Sequence, residues 1–277
     1  MKREDIAAYY DYTTPFYKIF WHKGTNALHY GIWDDTTKNL QEALINTNRI
    51  LADIADVQVN AKVLDAGCGV GGSAIWLAKN RGAQVVGITL SEKQHKSAEL
   101  NALRAGLQSK TSFLIRDFLQ TGFPDNSFDI VWAIESVCHA RNKSDFLREA
   151  NRILRKGGKL VVADGFLRRT PSSGKEEKNY ADFLKGLSLE NLSGINEFKN
   201  YMVAEGFSNV QFWDKSNEIR RSSDMLSSIC QRWFWLHRIL RALRIIPQFL
   251  LDTAAAGIVQ KDFSQGPGMY AVFYGEK

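Results

Sequence analysis

Cysteine is scarce, long apolar runs are missing, and neither sign of charge is concentrated. The 277-residue chain has three cysteines, Cys68, Cys138 and Cys230, an odd number with no C-x-x-C pair among them. That usage argues against a disulfide-built secreted scaffold and against a zinc site; reduced thiols, a cytoplasmic location and no metal are expected. No stretch approaches the roughly 20 uninterrupted apolar residues that span a bilayer. The charged start, Met1-Lys2-Arg3-Glu4-Asp5, lacks the apolar run of a signal peptide. A net charge of +6 suits nucleic acid, an anionic membrane surface or an acidic substrate. No long Lys/Arg tract and no RNA-binding signature accompany it, so a nucleic-acid partner is not expected.

What is present is a glycine loop between a strand and a helix. Lys62-Val63-Leu64-Asp65 reads as a short apolar strand, and Ala74-Ile75-Trp76-Leu77-Ala78 as a helix. Between them Gly67, Gly69 and Gly72 satisfy G-x-G-x-x-G, a spacing that brings backbone close to a nucleotide. Nicotinamide, flavin and S-adenosylmethionine sites all use this spacing, so the flanks decide. A nicotinamide site wants an acid about 20 residues on, at the end of the second strand. That strand, Gln84-Val85-Val86-Gly87-Ile88, ends instead in Thr89-Leu90-Ser91. The carboxylate sits at Asp65, where it would meet a cationic amino-acid tail and repel a pyrophosphate. S-adenosylmethionine is the better fit.

Strands and helices alternate from there. Strands are expected at 63–65, 84–88, 112–116, 128–134 and 159–163, with helices over 74–80, 92–105 and 144–154, and a turn at Lys156-Gly157-Gly158. This rhythm gives an α/β fold, a doubly wound, mostly parallel seven-stranded sheet. A helix with an apolar stripe precedes it, from Leu40 to Ile54. Residues 168–178 are polar and read as a mobile link. A helix near 195–205, a strand near 209–214, a mainly helical stretch and a final buried or edge strand at 269–274 complete the chain. One domain is expected: a helical cap over 1–57, a cofactor-binding core over 58–165, and a C-terminal part over 166–277. Insertions at 1–57, 165–195 and 215–262 are long enough to form a helical lid over the strand ends, where open α/β sheets bind ligands.

Three segments in order, Leu64-Asp65-Ala66-Gly67-Cys68-Gly69, Phe123-Pro124-Asp125-Asn126-Ser127-Phe128-Asp129 and Leu154-Arg155-Lys156-Gly157-Gly158, resemble motifs of the class I S-adenosylmethionine-dependent methyltransferases. Gly87-Ile88-Thr89-Leu90-Ser91-Glu92-Lys93-Gln94 resembles the tocopherol methyltransferases and cyclopropane fatty-acid synthases. Ala133-Ile134-Glu135-Ser136-Val137-Cys138-His139-Ala140 is similar to the sterol C-methyltransferases, as is Tyr9-Tyr10-Asp11-Tyr12 followed by Phe16-Tyr17.

The resemblance implies that Asp65 lies at the cofactor's amino-acid end, with backbone from Gly67, Cys68 and Gly69. Asp65 would otherwise cap the glycine turn. Thr89 and Leu90 stand where the wider class keeps a ribose-binding acid, and Gln94 would take over that contact. Ser91 and Gln94 equally form S-x-x-Q, a capping box that needs no ligand. Asp117 and Phe118 would clamp the adenine, with an ordinary turn aspartate as the alternative, and Ile134 would close the floor. Glu135 and His139 are the catalytic candidates, Glu135 as a base with a raised pKa; the alternative for His139 is a structural hydrogen-bonder. The aromatic residues Tyr9, Tyr10, Phe16 and Tyr17 would face the substrate or serve as plain packing.

Over Trp233–Ile246, Trp233, Trp235, Leu236, Ile239, Leu240, Leu243 and Ile246 share one helical arc, opposite Arg238, Arg241, Arg244 and His237. Such a helix either covers a pocket or lies on a membrane surface. The expected function is C-methylation of an isoprenoid, sterol-like or other hydrophobic small molecule, with possible peripheral membrane contact. The alternatives are N-methylation of a small amine, lipid cyclopropanation, and a non-enzymatic cofactor-binding regulator.

Overall fold

Apolar strand cores alternating with amphipathic helices build the framework. In the computed structural model, which describes residues 3–22 and 24–277, the chain opens with two helices, α1 (Arg3–Phe20) and α2 (Leu40–Ile54). Met1 and Lys2 of the charged start lie outside the described residues. The α/β repeat follows: β1 (Lys62–Ala66), α3 (Gly72–Arg81), β2 (Gln84–Thr89), α4 (Glu92–Arg104), β3 (Thr111–Ile115), β4 (Phe128–Ile134), α5 (Lys143–Ile153) and β5 (Leu154–Leu167). Beyond it come α6 (Gly174–Gly186), α7 (Ile195–Ala204), β6 (Ser208–Asp214), α8 (Ser216–Ala242), α9 (Gln248–Gln265) and β7 (Gly268–Glu276).

All seven strands form one sheet, ordered β3-β2-β1-β4-β5-β7-β6. β1 to β5 are parallel neighbours, and β7 is antiparallel to both β5 and β6. The central strands are apolar on both faces, as a helix-covered parallel sheet requires. Val63, Leu64, Val131, Trp132, Val161 and Val162 are all fully buried. Each large side chain so buried contributes roughly 1.5–3 kcal/mol. Asn39 caps α2 and Ser91 caps α4 by accepting backbone N–H bonds, which fixes where those helices begin.

Of the two places left open for the last strand the structure takes the buried one: β7 lies between β5 and β6, with Tyr270–Tyr274 buried, and β6 forms the edge at that end. Three expectations change. The Lys156-Gly157-Gly158 turn is absorbed into β5, which starts at Leu154 and shifts register against Phe128 and Ile130. The polar link at 168–178 carries the start of α6. There Ser173 accepts from the Glu176 N–H at 3.2 Å, and Arg169 holds the Glu176 carboxylate. The helix over 233–246 is the end of α8 and stops at Ala242. Arg244 turns with φ +58°, and Pro247 leads into α9.

Candidate active site

β1, β2 and β4 all end at one side of the sheet, and the chain leaves each of them through a turn. After β1 it passes through Gly67 at φ +92° and Gly69 at φ +53°, where a side chain is strained. A Cβ on Gly67 would sit 2.4 Å from the Ser136 Cβ, and one on Gly72 would sit 2.5 Å from the Asn26 carbonyl oxygen. The loop therefore fits only as glycine, and it leaves a cleft of about 240 Å³. Lining this cleft are Asp65 in β1 and Gly67, Cys68 and Gly69 beyond it, Thr89 at the end of β2 and Leu90 and Gln94 beyond it, Asp117 and Phe118 after β3, and Ile134 at the end of β4.

Asp65 carries the clearest chemical signal. Its carboxyl is buried, and Oδ2 has no hydrogen-bond partner among the described residues. Burial pushes its pKa up to about 7, opposed by a hydrogen bond from the Ala74 backbone. It thus supports the start of α3 while one oxygen stays unmatched. A buried carboxylate oxygen of this kind calls for a cationic donor, and the ammonium group of S-adenosylmethionine supplies one. The donor set fits that cofactor: a carboxylate for the ammonium and glycine backbone for close approach, while the three arginines at the cleft are engaged elsewhere, Arg3 with Asp117, Arg141 with Glu190 and Arg116 with the Thr121 carbonyl.

Other positions are more occupied than the sequence suggests. Only half of the capping box forms: Ser91 Oγ accepts from the Gln94 N–H at 3.0 Å. The Gln94 side chain turns away, accepting from Thr89 Oγ1 at 2.8 Å and donating to Thr14 Oγ1 at 3.3 Å. Asp117 accepts from the Leu119 N–H at 2.7 Å and pairs with Arg3 at 2.5 Å. Phe118 packs edge-on to Phe146 at 5.4 Å. Ser91 bonds to Asp11. Three of these partners, Arg3, Asp11 and Thr14, lie on α1, and Tyr10 of the same helix lines the cleft, so that helix closes it from above. Cys68 lines the cleft with its thiol buried toward Gly87, and burial raises its pKa well above the ordinary value.

Glu135 and His139 stand on the wall between this cleft and a second cavity, and both line each space. Glu135 sits at φ +49°, a strained conformation held by its N–H bond to the Ala163 carbonyl at 2.8 Å. Its Oε1 accepts from the Tyr30 N–H at 2.7 Å and from the Tyr270 hydroxyl at 2.9 Å. Oε2 takes no hydrogen bond from the described residues. Burial pushes the carboxyl up to about 8, and the two donated bonds oppose the rise. His139 is pushed down to about 4 by burial and is neutral at physiological pH. Its Nδ1 faces the Ser188 carbonyl at 3.3 Å and so bears the hydrogen, leaving Nε2 to accept from the Tyr10 hydroxyl at 2.8 Å. His139 is therefore the structural hydrogen-bonder of the two expectations, anchoring Tyr10, and it lies where the two spaces meet.

The second cavity, about 390 Å³, is aromatic and aliphatic. Tyr9, Tyr10, Phe16 and Tyr17 of α1 line it, opposite Leu226, Ile229, Trp233, Leu236 and Leu240 of α8. α6 and α9 close it with Phe183, Leu250 and Ala254. Sequence reasoning missed Tyr30, Tyr270 and Gln260, which complete the Glu135 setting. The Tyr30 hydroxyl bonds Gln260 Oε1, and Tyr30 meets Tyr270 edge-on at 5.8 Å. His29 was missed as well; it lines both spaces and is pushed down to about 4 by burial. No local pattern marks these residues. No cluster of metal-ligating side chains occurs among the described residues.

Comparison with known proteins agrees with this geometry. Residues 64–162 match the methyltransferase domain family. The chain is 28% identical to a chloroplastic tocopherol O-methyltransferase of Arabidopsis thaliana, over 87% of this chain and 73% of that protein. It is 35% identical to a sterol 24-C-methyltransferase of Gibberella zeae, over 54% of this chain and 38% of that protein. Two other curated methyltransferases, each 37% identical, are spanned over only 59% and 53% of their own length. Among solved structures, the cyclopropane synthase MmaA2 of Mycobacterium tuberculosis superposes with TM-score 0.83 at 18% identity, over 100% of this chain and 99% of that one, a likeness of fold.

Proposed function

We propose that this chain, a class I S-adenosylmethionine-dependent methyltransferase by its fold and its 64–162 domain, methylates a carbon atom of an isoprenoid, sterol-like or other hydrophobic small molecule. The observation that carries this reading is the shared wall: a polar cleft with an unmatched buried carboxylate abuts an apolar cavity, and Glu135 faces both. The bound cofactor supplies an electrophilic methyl group. The chain supplies the rest.

Its aromatic cavity holds the acceptor and excludes water, so donor and acceptor carbon meet without competing hydrolysis. When an alkene carbon takes the methyl, the positive charge left behind lies among the Tyr9, Tyr10 and Tyr17 rings. Cation–π attraction there is worth about 0.5–2 kcal/mol per ring. Glu135, in the ionised form it gains as pH passes about 8 and with Oε2 unengaged, then takes the proton that restores the double bond. His139 holds the Tyr10 hydroxyl in place along that wall. A small polar amine would leave this cavity largely unfilled, which disfavours N-methylation.

O-methylation is a second reading, favoured by the likeness to a tocopherol O-methyltransferase; Glu135 would then deprotonate a hydroxyl. The three unpaired cysteines support a reducing, cytoplasmic compartment. An acceptor apolar enough for this cavity partitions into lipid, which supports a meeting of enzyme and acceptor at a membrane surface.

Incubating the enzyme with deuteromethyl-labelled cofactor and a total lipid extract tests the assignment. Mass spectrometry should find the label in an apolar product, and fragmentation should place it on carbon. Label on oxygen supports the second reading. Label confined to water-soluble amines would overturn both.

A further inference from the structure

The apolar arc of α8 is divided by the fold. Leu226, Ile229, Trp233, Leu236 and Leu240 recur at helical spacing on one face and line the acceptor cavity. His237 joins them, touching Phe16 at 6.1 Å, so it does not stand with the arginines. Trp235, Ile239 and Leu243, spaced four apart, face outward with 59%, 47% and 64% exposure. Ile245 is exposed beside them in the turn, and Ile19 of α1 is exposed as well. Phe16 and Trp233 do both: each lines the cavity, yet each is about 40% exposed, at 42% and 39%. They mark its mouth, and the outward stripe continues from that mouth along α8.

The charge around the stripe has one sign. Residues 225–251 contain no aspartate or glutamate and four arginines. Arg232, Arg238 and Arg244 are exposed, and none is ion-paired among the described residues. Arg241 is half-buried and tied to Gln248 Oε1 at 2.9 Å. An exposed apolar stripe with unpaired arginines beside it complements the headgroup boundary of an anionic bilayer. Among the described residues no helix is long and apolar enough to cross a membrane, so this face would lie on one.

We propose that the outer face of α8, with the exposed edge of α1, docks on an anionic lipid surface and sets the Phe16–Trp233 mouth against the acyl boundary. An apolar acceptor then enters the cavity from the bilayer without crossing water. The inference rests on the reading of that cavity as the acceptor site.

Vesicle binding of the cofactor-loaded 277-residue chain tests it, using neutral phosphatidylcholine vesicles and vesicles enriched in phosphatidylglycerol. The two variants are W235S/I239S and R232Q/R238Q/R244Q, none of which alters a residue lining either cavity. Wild type should prefer the anionic vesicles and lose that preference in high salt. The arginine variant should bind them about 100-fold more weakly, at roughly fivefold for each of the three charges removed near the surface. The stripe variant should also detach, with both variants keeping wild-type affinity for S-adenosylmethionine. Equal weak binding to both vesicle types, with cofactor affinity intact, overturns the docking face and leaves the methyltransferase reading standing. A dimer abolished by W235S/I239S, without vesicle binding, would assign the stripe to a second copy of the chain and likewise overturn it. Failure of wild type to bind S-adenosylmethionine would instead strike the functional reading.

Discussion

The two halves of the site are built in opposite ways. The cofactor cleft is local: Asp65 through Phe118 follow one another along three strand ends, and backbone turns do much of the shaping. The acceptor cavity is assembled from distant chain, with Tyr9 and Tyr17 near the start, Phe183 in the middle, and Trp233 and Tyr270 toward the end. A cleft made by strained glycine geometry tolerates little change. A cavity made by side chains on separate helices accepts different volumes at modest cost, since conservative apolar exchanges usually disturb stability by under about 1.5 kcal/mol. Such a division leaves the methyl donor fixed while the acceptor is free to differ between relatives.

Glu135 belongs to both halves, and replacing it should have the largest effect. Glu135→Gln keeps the shape and a hydrogen-bonding side chain but removes the base. Turnover should fall by about 10²–10⁴-fold, while the dissociation constant for S-adenosylmethionine, read by calorimetry, stays within a few-fold of wild type. In the wild type, the single-turnover rate should rise as pH passes through about 8, where Glu135 ionises. A parallel loss of binding and rate would reduce Glu135 to part of the cofactor cleft.

Asp65 belongs to one half alone. Asp65→Asn should weaken cofactor binding by at least tenfold, about 1.4 kcal/mol. The same variant should gain stability when no cofactor is present. A carboxyl raised to about 7 favours the fold only while protonated, and that contribution disappears as pH climbs from its ordinary value through 7. At pH 8 the cofactor-free Asn variant should therefore be more stable by about 1–4 kcal/mol. Thermal melts at pH 5 and pH 8 would read this, with the gain confined to the higher pH.

The same contrast explains what could be read from sequence. Strand, glycine loop and helix lie within about 20 residues, so their order is written in local periodicity and in turns that only glycine permits. The ten cofactor residues expected from sequence all line the cleft for that reason. Other features depend on partners far along the chain. Tyr270 reaches Glu135 across 135 positions, and Tyr30 reaches Gln260 across 230. The division of the α8 arc into cavity wall and outer stripe depends on where α1 and α9 pack. For β7 the sequence left buried and edge places both open, because an apolar run that does not alternate shows burial on both faces but not which strands flank it. Residues 168–178 looked unstructured because a capped helix start is polar by nature; Ser173 and Glu176 are its cap.

The central claim is that two separate spaces meet at Glu135, one for the methyl donor and one for the acceptor. A crystal structure with S-adenosylhomocysteine bound tests it most directly. The account predicts the ligand's ammonium group on Asp65, its body along the Gly67–Gly69 turn, and an aromatic cavity left open beside it. Ligand density among Tyr9, Tyr17 and Trp233, with Asp65 untouched, would contradict it.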